Sequence, residues 1–385
     1  MSTIARHRIE VPVTLLMRAL LFSGSRHLDR FETDLGAFFK RKIILFQSGR
    51  GALYYLLRAM PQTTVIAPGY TCKVVPEAIL LAGKEVLYVD IDLNTYNMDM
   101  GDLKRKMRPE SVILATHQFG IPCDILPILH LAEEHQCVVI EDAAGAFGSR
   151  VHDRMVGTFG AASIFSFEFT KVLSSGRGGL ILFNEEDLHG RVKSLIEEEL
   201  QRPDAIFLAK IFLTLLFHKI VSQPFFYSLF IAYFRKKYGF SLDRGEILPH
   251  KNELYQYSLS PFEALIGLSN LKKVETISQK RWNIAKEYMK GLSGLQGIGL
   301  PAFPPETFSS LMRFPVRVLH QGRDAFYSKC LEQGLDLGFS FTYSCCEECP
   351  NALLAAQQMV NLPLNSHLTD REVSRIIDIV RKSLR

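Results

Sequence analysis

Seven short apolar runs, separated in most cases by stretches with helical periodicity, dominate residues 42–183. The runs are Lys42–Phe46, Thr64–Ala67, Glu85–Asp90, Ser111–Ala115, Cys137–Ile140, Ala162–Phe167 and Gly179–Phe183. Near-continuous apolar strands that alternate with helices are typical of a sheet that is buried on both faces. The pattern therefore predicts an α/β fold with a mostly parallel sheet flanked by helices.

Polar side chains follow four of these runs. Ser48, Tyr70, His117 and Asp142 each come shortly after the carboxyl end of a predicted strand. In open α/β sheets, ligands bind in the crevice outside the carboxyl ends of the strands. We therefore expect these residues to line one site, with Tyr70 and His117 as the weaker candidates for substrate contacts. For His117, a structural histidine is an equal alternative.

The first strand runs into a serine–glycine turn, Ser48-Gly49-Arg50-Gly51, and a helical pattern continues from there through Met60. Backbone N–H groups and the helix dipole at such a helix start attract anions. The turn is consistent with a phosphate site and equally with an ordinary strand-to-helix connection.

The segment Glu141–Gly179 combines a carboxylate and a lysine. Asp142 follows the apolar run that ends at Ile140, and Lys171 lies between the run Ile164–Phe167 and a turn rich in glycine. A lysine in such a place can bind a carbonyl cofactor covalently, and the carboxylate can keep a pyridine nitrogen protonated. The segment therefore predicts a site for a carbonyl cofactor that carries a pyridine ring.

Composition bounds the class of protein. The chain has 385 residues, 47% of them hydrophobic, and a net charge of +5 that is spread without a long basic block, so no nucleic-acid partner is expected. The apolar stretch Val11–Phe22 is interrupted and lacks a cleavage site, so no signal peptide is predicted. Seven mostly isolated cysteines indicate reduced thiols in the cytoplasm. Cys345-Cys346-x-x-Cys349 has no matching second half, which favours a thiol cluster over a metal site.

Residues 193–250 form a predicted apolar helical insertion. Its two apolar stretches, Ala205–Phe217 and Val221–Phe234, are each shorter than the ~20 residues that span a bilayer. A buried helical hairpin or a dimer surface is favoured, and the alternative is peripheral contact with a membrane through residues 205–237. A basic triplet follows the second stretch directly: Arg235-Lys236-Lys237.

The rest of the chain predicts a smaller unit that mixes strands with helices. Its elements are the helical patterns Gln256–Val274 and Lys280–Leu292, the strand Arg313–Leu319 and the helix Arg323–Gln333. Thr369 and Glu372 form a capping pattern at the start of a last helix. We predict a large α/β domain over residues 1–250, and an interdomain helix with a small C-terminal domain over residues 251–385.

With these motifs in this order, nearly the whole chain resembles the DegT/DnrJ/StrS sugar aminotransferases. The strongest matches are Glu141-Asp142-Ala143-Ala144, Ser166-Phe167-x-x-x-Lys171 and Gly176-x-Gly178-Gly179. Further matches are Ser48-Gly49-x-x-Ala52-Leu53, Pro68-x-Tyr70-Thr71 and His117-x-x-Gly120-x-Pro122-x-Asp124. The resemblance implies fold type I with a smaller C-terminal α+β domain, pyridoxal phosphate (PLP) as cofactor, and a homodimer with shared active sites.

The resemblance also implies roles for single residues. Lys171 is expected to bind the cofactor covalently and to move a proton during the transfer, and Asp142 to pair with the pyridinium nitrogen. The expected phosphate ligands are Ser48, Gly49 and Ser166. Gln256 stands where the family has an asparagine that reaches the cofactor of the neighbouring subunit.

Other positions depart from the family pattern. Gly145 stands where a glutamine is expected near the phenolic oxygen of the cofactor, and Cys72 where an aromatic side chain stacks on the ring. Arg50 replaces a threonine, and its guanidinium is a candidate partner for the phosphate. These changes leave Lys171 and Asp142 intact and bear on ring stacking and substrate specificity.

The expected activity is transfer of an amino group from an amino acid, with glutamate the favoured donor, to a keto-sugar nucleotide in amino-sugar or surface-polysaccharide biosynthesis. One alternative is a membrane-surface enzyme that acts on a lipid-linked or other envelope precursor. A second alternative is a non-catalytic relative that binds PLP or a sugar nucleotide. The expected location is the cytoplasm, with or without peripheral contact with a membrane.

Overall fold

The computed structural model of the protein describes residues 3–6, 11–223, 226–228, 247 and 249–385. The helices in these ranges are α1 Val13–Phe22, α2 Ser25–Phe39, α3 Gly49–Arg58, α4 Val74–Leu81, α5 Met100–Lys106, α6 Ile125–Glu134, α7 Glu186–Glu199, α8 Ala205–Val221, α9 Glu253–Gln256, α10 Pro261–Leu271, α11 Val274–Leu292, α12 Arg323–Glu332, α13 Pro350–Gln358 and α14 Asp370–Ser383. The strands are β1 Lys42–Phe46, β2 Thr64–Pro68, β3 Glu85–Val89, β4 Val112–Thr116, β5 Val138–Asp142, β6 Arg150–Val151, β7 Arg154–Met155, β8 Ala162–Ser166, β9 Gly179–Phe183, β10 Ile298–Gly299, β11 Thr307–Phe308, β12 Phe314–Val318 and β13 Met359–Leu362.

Seven strands form the main sheet in the order β1-β9-β8-β5-β4-β2-β3. Strand β9 pairs antiparallel with β1 and β8, whereas the pairs β8–β5, β5–β4, β4–β2 and β2–β3 are parallel. All strands of this sheet except β9 therefore point the same way. The predicted α/β fold with a mostly parallel sheet is confirmed.

Helices cover both faces of the main sheet, which explains why its strands are apolar on both sides. Alternate residues of β1 belong to two different hydrophobic cores, one on each face of the sheet. Ile43 and Leu45 belong to the core that includes side chains of α2 and α6, whereas Ile44 and Phe46 belong to the core that includes side chains of α3, α4 and α7. The strand period of two residues thus sends neighbouring side chains into different layers.

The carboxyl edge of the main sheet collects the polar residues that follow the strands. Ser48 comes after β1, His117 follows β4, Asp142 ends β5 and Ser166 ends β8. The backbone N–H of His117 donates to the carbonyl of Asp142 at 3.0 Å, which joins two of these strand ends. Gly179, the first residue of β9, pairs with Ser166, so the glycine turn before β9 lies at the same edge.

A smaller antiparallel sheet, β10-β12-β13, forms the centre of the C-terminal unit. Side chains of α11, α12 and α14 share its core. Helix α14 begins with the predicted capping box, in which Thr369 Oγ1 accepts from the N–H of Glu372 at 3.3 Å and Glu372 Oε2 accepts from the N–H of Thr369 at 2.9 Å. The predicted smaller α+β unit is confirmed.

Two segments from before residue 250 pack on this C-terminal unit. The N–H of Ile4 donates to Gly334 O at 2.8 Å, and the N–H of Asp336 donates to Ile4 O at 3.1 Å. The hydroxyl of Tyr227 donates to the carboxylate of Asp336, and both Ile4 and Tyr227 are buried in the C-terminal core. The boundary at residue 250 stays a prediction, and these contacts cross it.

The N-terminal segment and the apolar insertion differ from the sequence expectation. Pro12 occupies the N-cap position of α1, where its missing N–H costs no hydrogen bond, so it starts a helix rather than interrupting a stretch. The first apolar stretch of the insertion is a single helix, α8, that continues to Val221. Most of the second stretch, Val221–Phe234, lies outside the described residues. No helix in the described ranges is long and apolar enough to cross a membrane.

Candidate active site

A cavity of about 810 Å³ opens at the carboxyl edge of the main sheet. The predicted site residues that line it are Ser48, Gly49, Arg50, Cys72, His117, Asp142, Gly145, Ser166 and Lys171. They come from loops that follow separate strands, so the parallel arrangement of the sheet brings them to one place.

Lys171 lies in the loop that follows β8. Its backbone N–H donates to Glu168 O at 2.9 Å, which closes a tight turn around the residue. Burial lowers the pKa of its ammonium group, while the carboxylates of Glu168 and Asp142 oppose that shift. A lysine with a lowered pKa carries more neutral amine near pH 7, and the neutral amine is the form that attacks a carbonyl carbon.

Asp142 is a buried carboxylate in the same cavity. Its Oδ1 accepts a hydrogen bond from the N–H of Ala144 at 3.0 Å. Burial raises the pKa of this carboxyl group, and the N–H of Ala144 and the charge of Lys171 lower it. A protonated ring nitrogen is a partner that would compensate a buried carboxylate for its lost hydration.

The amino end of α3 also faces the cavity. Ser48 is its N-cap, where Oγ accepts from the N–H of Gly51 at 3.0 Å and donates its proton to Leu254 O at 2.8 Å. The hydroxyl proton of Ser48 is thus bound within the protein. Contact of Ser48 with a phosphate stays a prediction.

Arg50 and Ser166 are better placed to hold an anion at this helix end. Both line the cavity, and neither side chain forms a hydrogen bond or ion pair with the described residues. A cation in the first turn of a helix opposes the helix dipole, so a bound phosphate would stabilise Arg50 and the helix terminus together. The side chains present fit a phosphorylated cofactor at this point.

Glu141 holds the loop that follows β7 against β5. Its carboxylate is fully buried and accepts three backbone hydrogen bonds, from the N–H groups of Gly157 at 2.7 Å, Phe159 at 2.6 Å and Gly160 at 2.9 Å. The sequence includes Glu141 in a family motif, but nothing local reveals these partners because they lie 16 to 19 residues further along the chain.

The ring of His117 is bonded on both sides. Its Nδ1 accepts from the N–H of Cys123 at 3.0 Å, so the ring proton lies on Nε2, which is 3.1 Å from a carboxylate oxygen of Glu141. The side chain is fully buried. His117 thus lies at the wall of the cavity in the arrangement expected of a structural histidine.

Replacing Glu141 with glutamine is expected to lower the free energy of unfolding by about 3 kcal/mol. The new amide NH₂ must face at least one backbone N–H, which loses its buried acceptor. The measurement is a urea titration followed by circular dichroism. Glu133→Gln, at an exposed position on α6, is the matched control and should leave the midpoint unchanged. Equal midpoints for both variants would contradict the prediction.

Two predicted residues do not line the cavity. Tyr70 is fully buried behind its wall, where the hydroxyl donates to Ser340 O at 2.9 Å and the ring packs edge-on against Phe341. Direct contact with a substrate is not compatible with this position of Tyr70. Gln256 is exposed at the end of α9, and its carbonyl accepts from the N–H of Gln201 at 2.9 Å. Its approach to the cofactor of a partner subunit stays a prediction.

Cys72 and Gly145 leave room where the family pattern has larger side chains. Burial raises the pKa of the Cys72 thiol, which therefore stays protonated near pH 7. A Cβ added at Gly145 would meet no atom closer than the 3.6 Å to Gly120 N. Packing therefore does not require glycine at this position, and the cavity wall there has space for a ligand.

Several charged residues that line the cavity are missing from the sequence prediction. They are Arg6, Glu168, Arg177 and Arg313. Arg177 has a local signal, since it lies between the glycines of the turn that precedes β9. Arg6 comes from the N-terminal segment and Arg313 from the C-terminal unit, and the tertiary fold alone brings them to the site.

The cysteine cluster lies beside the cavity wall. Cys345 Sγ is 3.6 Å from Thr71 O, and Cys349 is fully buried at the start of α13. Within the ranges that the structure describes, no group of three or more His, Cys, Asp or Glu side chains is arranged to hold a metal ion.

The fold and the site define a class: an α/β enzyme whose cavity contains a lysine, a carboxylate and the amino end of a helix, which fit a phosphorylated carbonyl cofactor. Residues 5–211 and 231–381 match the DegT/DnrJ/EryC1/StrS aminotransferase family, and the chain belongs to that family. The predicted family is confirmed. The protein is an aminotransferase, and its cofactor is PLP.

Two relatives and one solved structure show what the chain is similar to. GDP-perosamine synthase of Vibrio cholerae is 27% identical over 278 residues, which cover 71% of this chain and 64% of that protein. A dTDP-4-dehydro-2,3,6-trideoxy-D-glucose 4-aminotransferase of Saccharopolyspora spinosa is 24% identical over 355 residues, which cover 89% of this chain and 84% of that protein. The crystal structure of the sugar aminotransferase CalS13 from Micromonospora echinospora has a TM-score of 0.77 at 21% identity, with 98% of this chain and 99% of that chain covered. This likeness confirms the fold.

Proposed function

We propose that the protein transfers an amino group from glutamate to a keto-sugar nucleotide. The observation that carries the proposal is the presence of a half-buried lysine with a lowered pKa, Lys171, and a buried carboxylate, Asp142, in one cavity with four arginines. The names of the two relatives describe enzymes of GDP-linked and dTDP-linked sugars, which supports this class of acceptor. We place the reaction in amino-sugar or surface-polysaccharide biosynthesis.

The residues of the chain have separate tasks in this reaction. PLP supplies an electron-accepting ring that carries the amino group between the two substrates. Lys171 would hold the cofactor through its amine, and the same amine would move the proton at the reacting carbon. The carboxylate of Asp142 holds the proton on the pyridine nitrogen. Arg50 and Ser166 hold the phosphate at the start of α3.

The charge of the cavity favours anionic substrates. The cations that line it are Arg6, Arg50, Lys171, Arg177 and Arg313, and the carboxylates are Asp142 and Glu168. Arg6 is paired with Asp336 at 3.1 Å, whereas the guanidinium of Arg177 makes no hydrogen bond or ion pair with the described residues. Guanidinium groups bind phosphates and carboxylates in a bidentate manner, and these are the anionic groups of a nucleotide sugar and of glutamate.

We also propose a homodimer in which Gln256 approaches the cofactor of the partner subunit. Gln256 is exposed and lies two residues from Leu254, which lines the cavity of its own chain. The end of α9 therefore lies next to the active site. The side chain of Gln256 forms no hydrogen bond with the described residues of its own chain.

A two-stage experiment tests the proposed function. Purified protein loaded with PLP is first mixed with glutamate alone, and we expect about one 2-oxoglutarate per active site together with a change in the absorbance of the cofactor. GDP-linked and dTDP-linked 4-keto-6-deoxy sugars are then added, and the aminated sugar is detected by mass spectrometry. Alanine, aspartate and glutamine serve as matched donors.

The outcomes separate the proposed enzyme from its alternatives. Release of 2-oxoglutarate followed by an aminated nucleotide sugar supports the proposal. Turnover with another amino acid and not with glutamate would contradict the proposal that glutamate is the donor. Binding of PLP without release of any keto acid, from any of the four donors, would contradict the enzyme and favour the non-catalytic relative.

A further inference from the structure

Exposed apolar side chains concentrate on two neighbouring helices, α1 and α8. In the described part of the chain, the exposed large apolar residues outside these helices are Leu80, Leu126, Phe226 and Leu319. Those on α1 and α8 are Val13, Met17, Leu20, Leu21, Phe22, Ile206, Leu213, Phe217 and Ile220. Exposed large apolar side chains that concentrate on two neighbouring helices mark an interaction site in a folded protein.

Helix α8 is apolar on both of its faces. Phe207, Ile211 and Leu215 lie on one face and are buried. Leu213, at 61% exposed, and Phe217, at 54% exposed, lie on the opposite face with the helical spacing of i and i+4. The rest of the chain therefore covers one apolar face of this helix and leaves the other exposed.

Helix α1 repeats the arrangement. Leu15 and Leu16 are buried in the same core cluster as the inner face of α8, and the two helices contact each other. Val13, Met17 and Leu20 form an exposed stripe with the spacing i, i+4, i+7. Because both helices bury one face in one cluster, their outer faces point away from it together. We call these two outer faces the α1–α8 surface.

The charges on the two helices are basic. Neither helix contains an aspartate or a glutamate, while α1 carries Arg18 and α8 carries Lys210 and Lys219. His218 is not counted with them, because its ring lies on the inner face against Phe169 and burial lowers the pKa of its imidazole. At the amino end of α8, Asp204 caps the helix and Glu253 pairs with Lys210 at 3.2 Å. The cations at the carboxyl half of α8 and along α1 are thus Lys219 and Arg18.

The inner face of α8 packs directly on the loop that carries Lys171. The ring of His218 stacks on Phe169 with the centroids 4.7 Å apart. Leu215 lies against Gly176, where an added Cβ would come within 2.5 Å of Leu215 Cδ1. Helix α8 therefore lies between the loop of the cavity and the α1–α8 surface, and one helix has a diameter of about 10 Å.

We propose that the α1–α8 surface docks the protein on the surface of an anionic phospholipid membrane. An apolar face bordered by basic residues is the combination that binds at the interface of a bilayer with anionic lipids. Docking places the loop that carries Lys171 about one helix diameter from the membrane. The proposal stands independently of the identity of the sugar acceptor.

Sedimentation with vesicles tests the proposal. The full chain loaded with PLP is mixed with phosphatidylcholine vesicles that contain or lack phosphatidylglycerol. Leu21→Gln/Leu213→Gln changes one exposed leucine on each helix, and Leu80→Gln/Leu126→Gln changes two exposed leucines elsewhere as the matched control. We expect binding to the anionic vesicles that weakens in high salt, a loss of about tenfold in the first variant, and no loss in the control.

Three results would overturn the proposal. They are the absence of binding to anionic vesicles, an equal loss of binding in both double variants, and dissociation of a dimer by Leu21→Gln/Leu213→Gln in light scattering. The last result would assign the surface to a second copy of the chain. Retention of the cofactor absorbance shows that each variant is folded, and the result is then independent of whether a sugar nucleotide is the acceptor.

Discussion

Replacing Lys171 with alanine is expected to lower the rate of amino transfer by about 10⁴-fold. The variant loses both the covalent link to the cofactor and the amine that moves the proton. It also loses the positive charge that lowers the pKa of Asp142, so the pKa of that carboxyl group should rise further. The measurement is the turnover number with a saturating amino donor, together with the absorbance spectrum of the bound cofactor.

Controls distinguish chemistry from structure in this experiment. Lys286→Ala removes an exposed lysine on α11 and should retain full activity and the spectrum of the parent protein. Added methylamine or ethylamine should restore part of the activity of Lys171→Ala, because a small amine can accept and release the proton in the space left by the side chain. Activity above a tenth of the parent value without added amine would rule out the assigned role.

Replacing Asp142 with asparagine is expected to reduce the turnover number by about 10²- to 10³-fold. The side-chain carbonyl of asparagine can still accept the hydrogen bond from the N–H of Ala144, so the geometry is preserved. The negative charge that keeps the pyridine nitrogen protonated is lost, and the ring becomes a weaker electron acceptor.

The free energy of unfolding of Asp142→Asn should be equal to that of the parent protein or higher. Burial raises the pKa of Asp142, which means that the ionised side chain destabilises the cofactor-free protein above its ordinary pKa. Asparagine removes that cost, and a thermal melt of the cofactor-free protein should show no loss. Asp153→Asn, at an exposed position, is the control for both measurements. A turnover number within about fivefold of the parent value would contradict the role of Asp142.

The strands of the main sheet were predictable because burial on both faces demands apolar side chains at consecutive positions. Strands β1 and β9 have the predicted limits, Lys42–Phe46 and Gly179–Phe183, and β5 extends the predicted run by two residues to Asp142. Helix α1 was not predicted, because its residues are apolar on the exposed face as well as the buried one. A helix of that kind lacks the contrast between faces by which periodicity is recognised.

The site residues that lie in short local motifs were predictable. The residues and contacts that come from distant parts of the chain were not. Lys171 and Asp142 stand in short patterns at strand ends, and both line the cavity. The sequence could not show that the hydroxyl of Ser48 donates a hydrogen bond to Leu254 O, since this acceptor lies 206 residues away. Arg313 reaches the cavity from the C-terminal unit, and no neighbouring residue in the sequence marks it.

The sequence alone determined the α/β architecture and the family, and it marked Lys171 and Asp142 as candidates for one site, because these depend on local periodicity and on short motifs at the ends of strands. The tertiary structure alone decided which of the many charged side chains face the cavity and which face of α1 and α8 remains exposed. Burial is a property of segments that meet in space, so hydrophobicity along the chain cannot assign it when a helix is apolar all round.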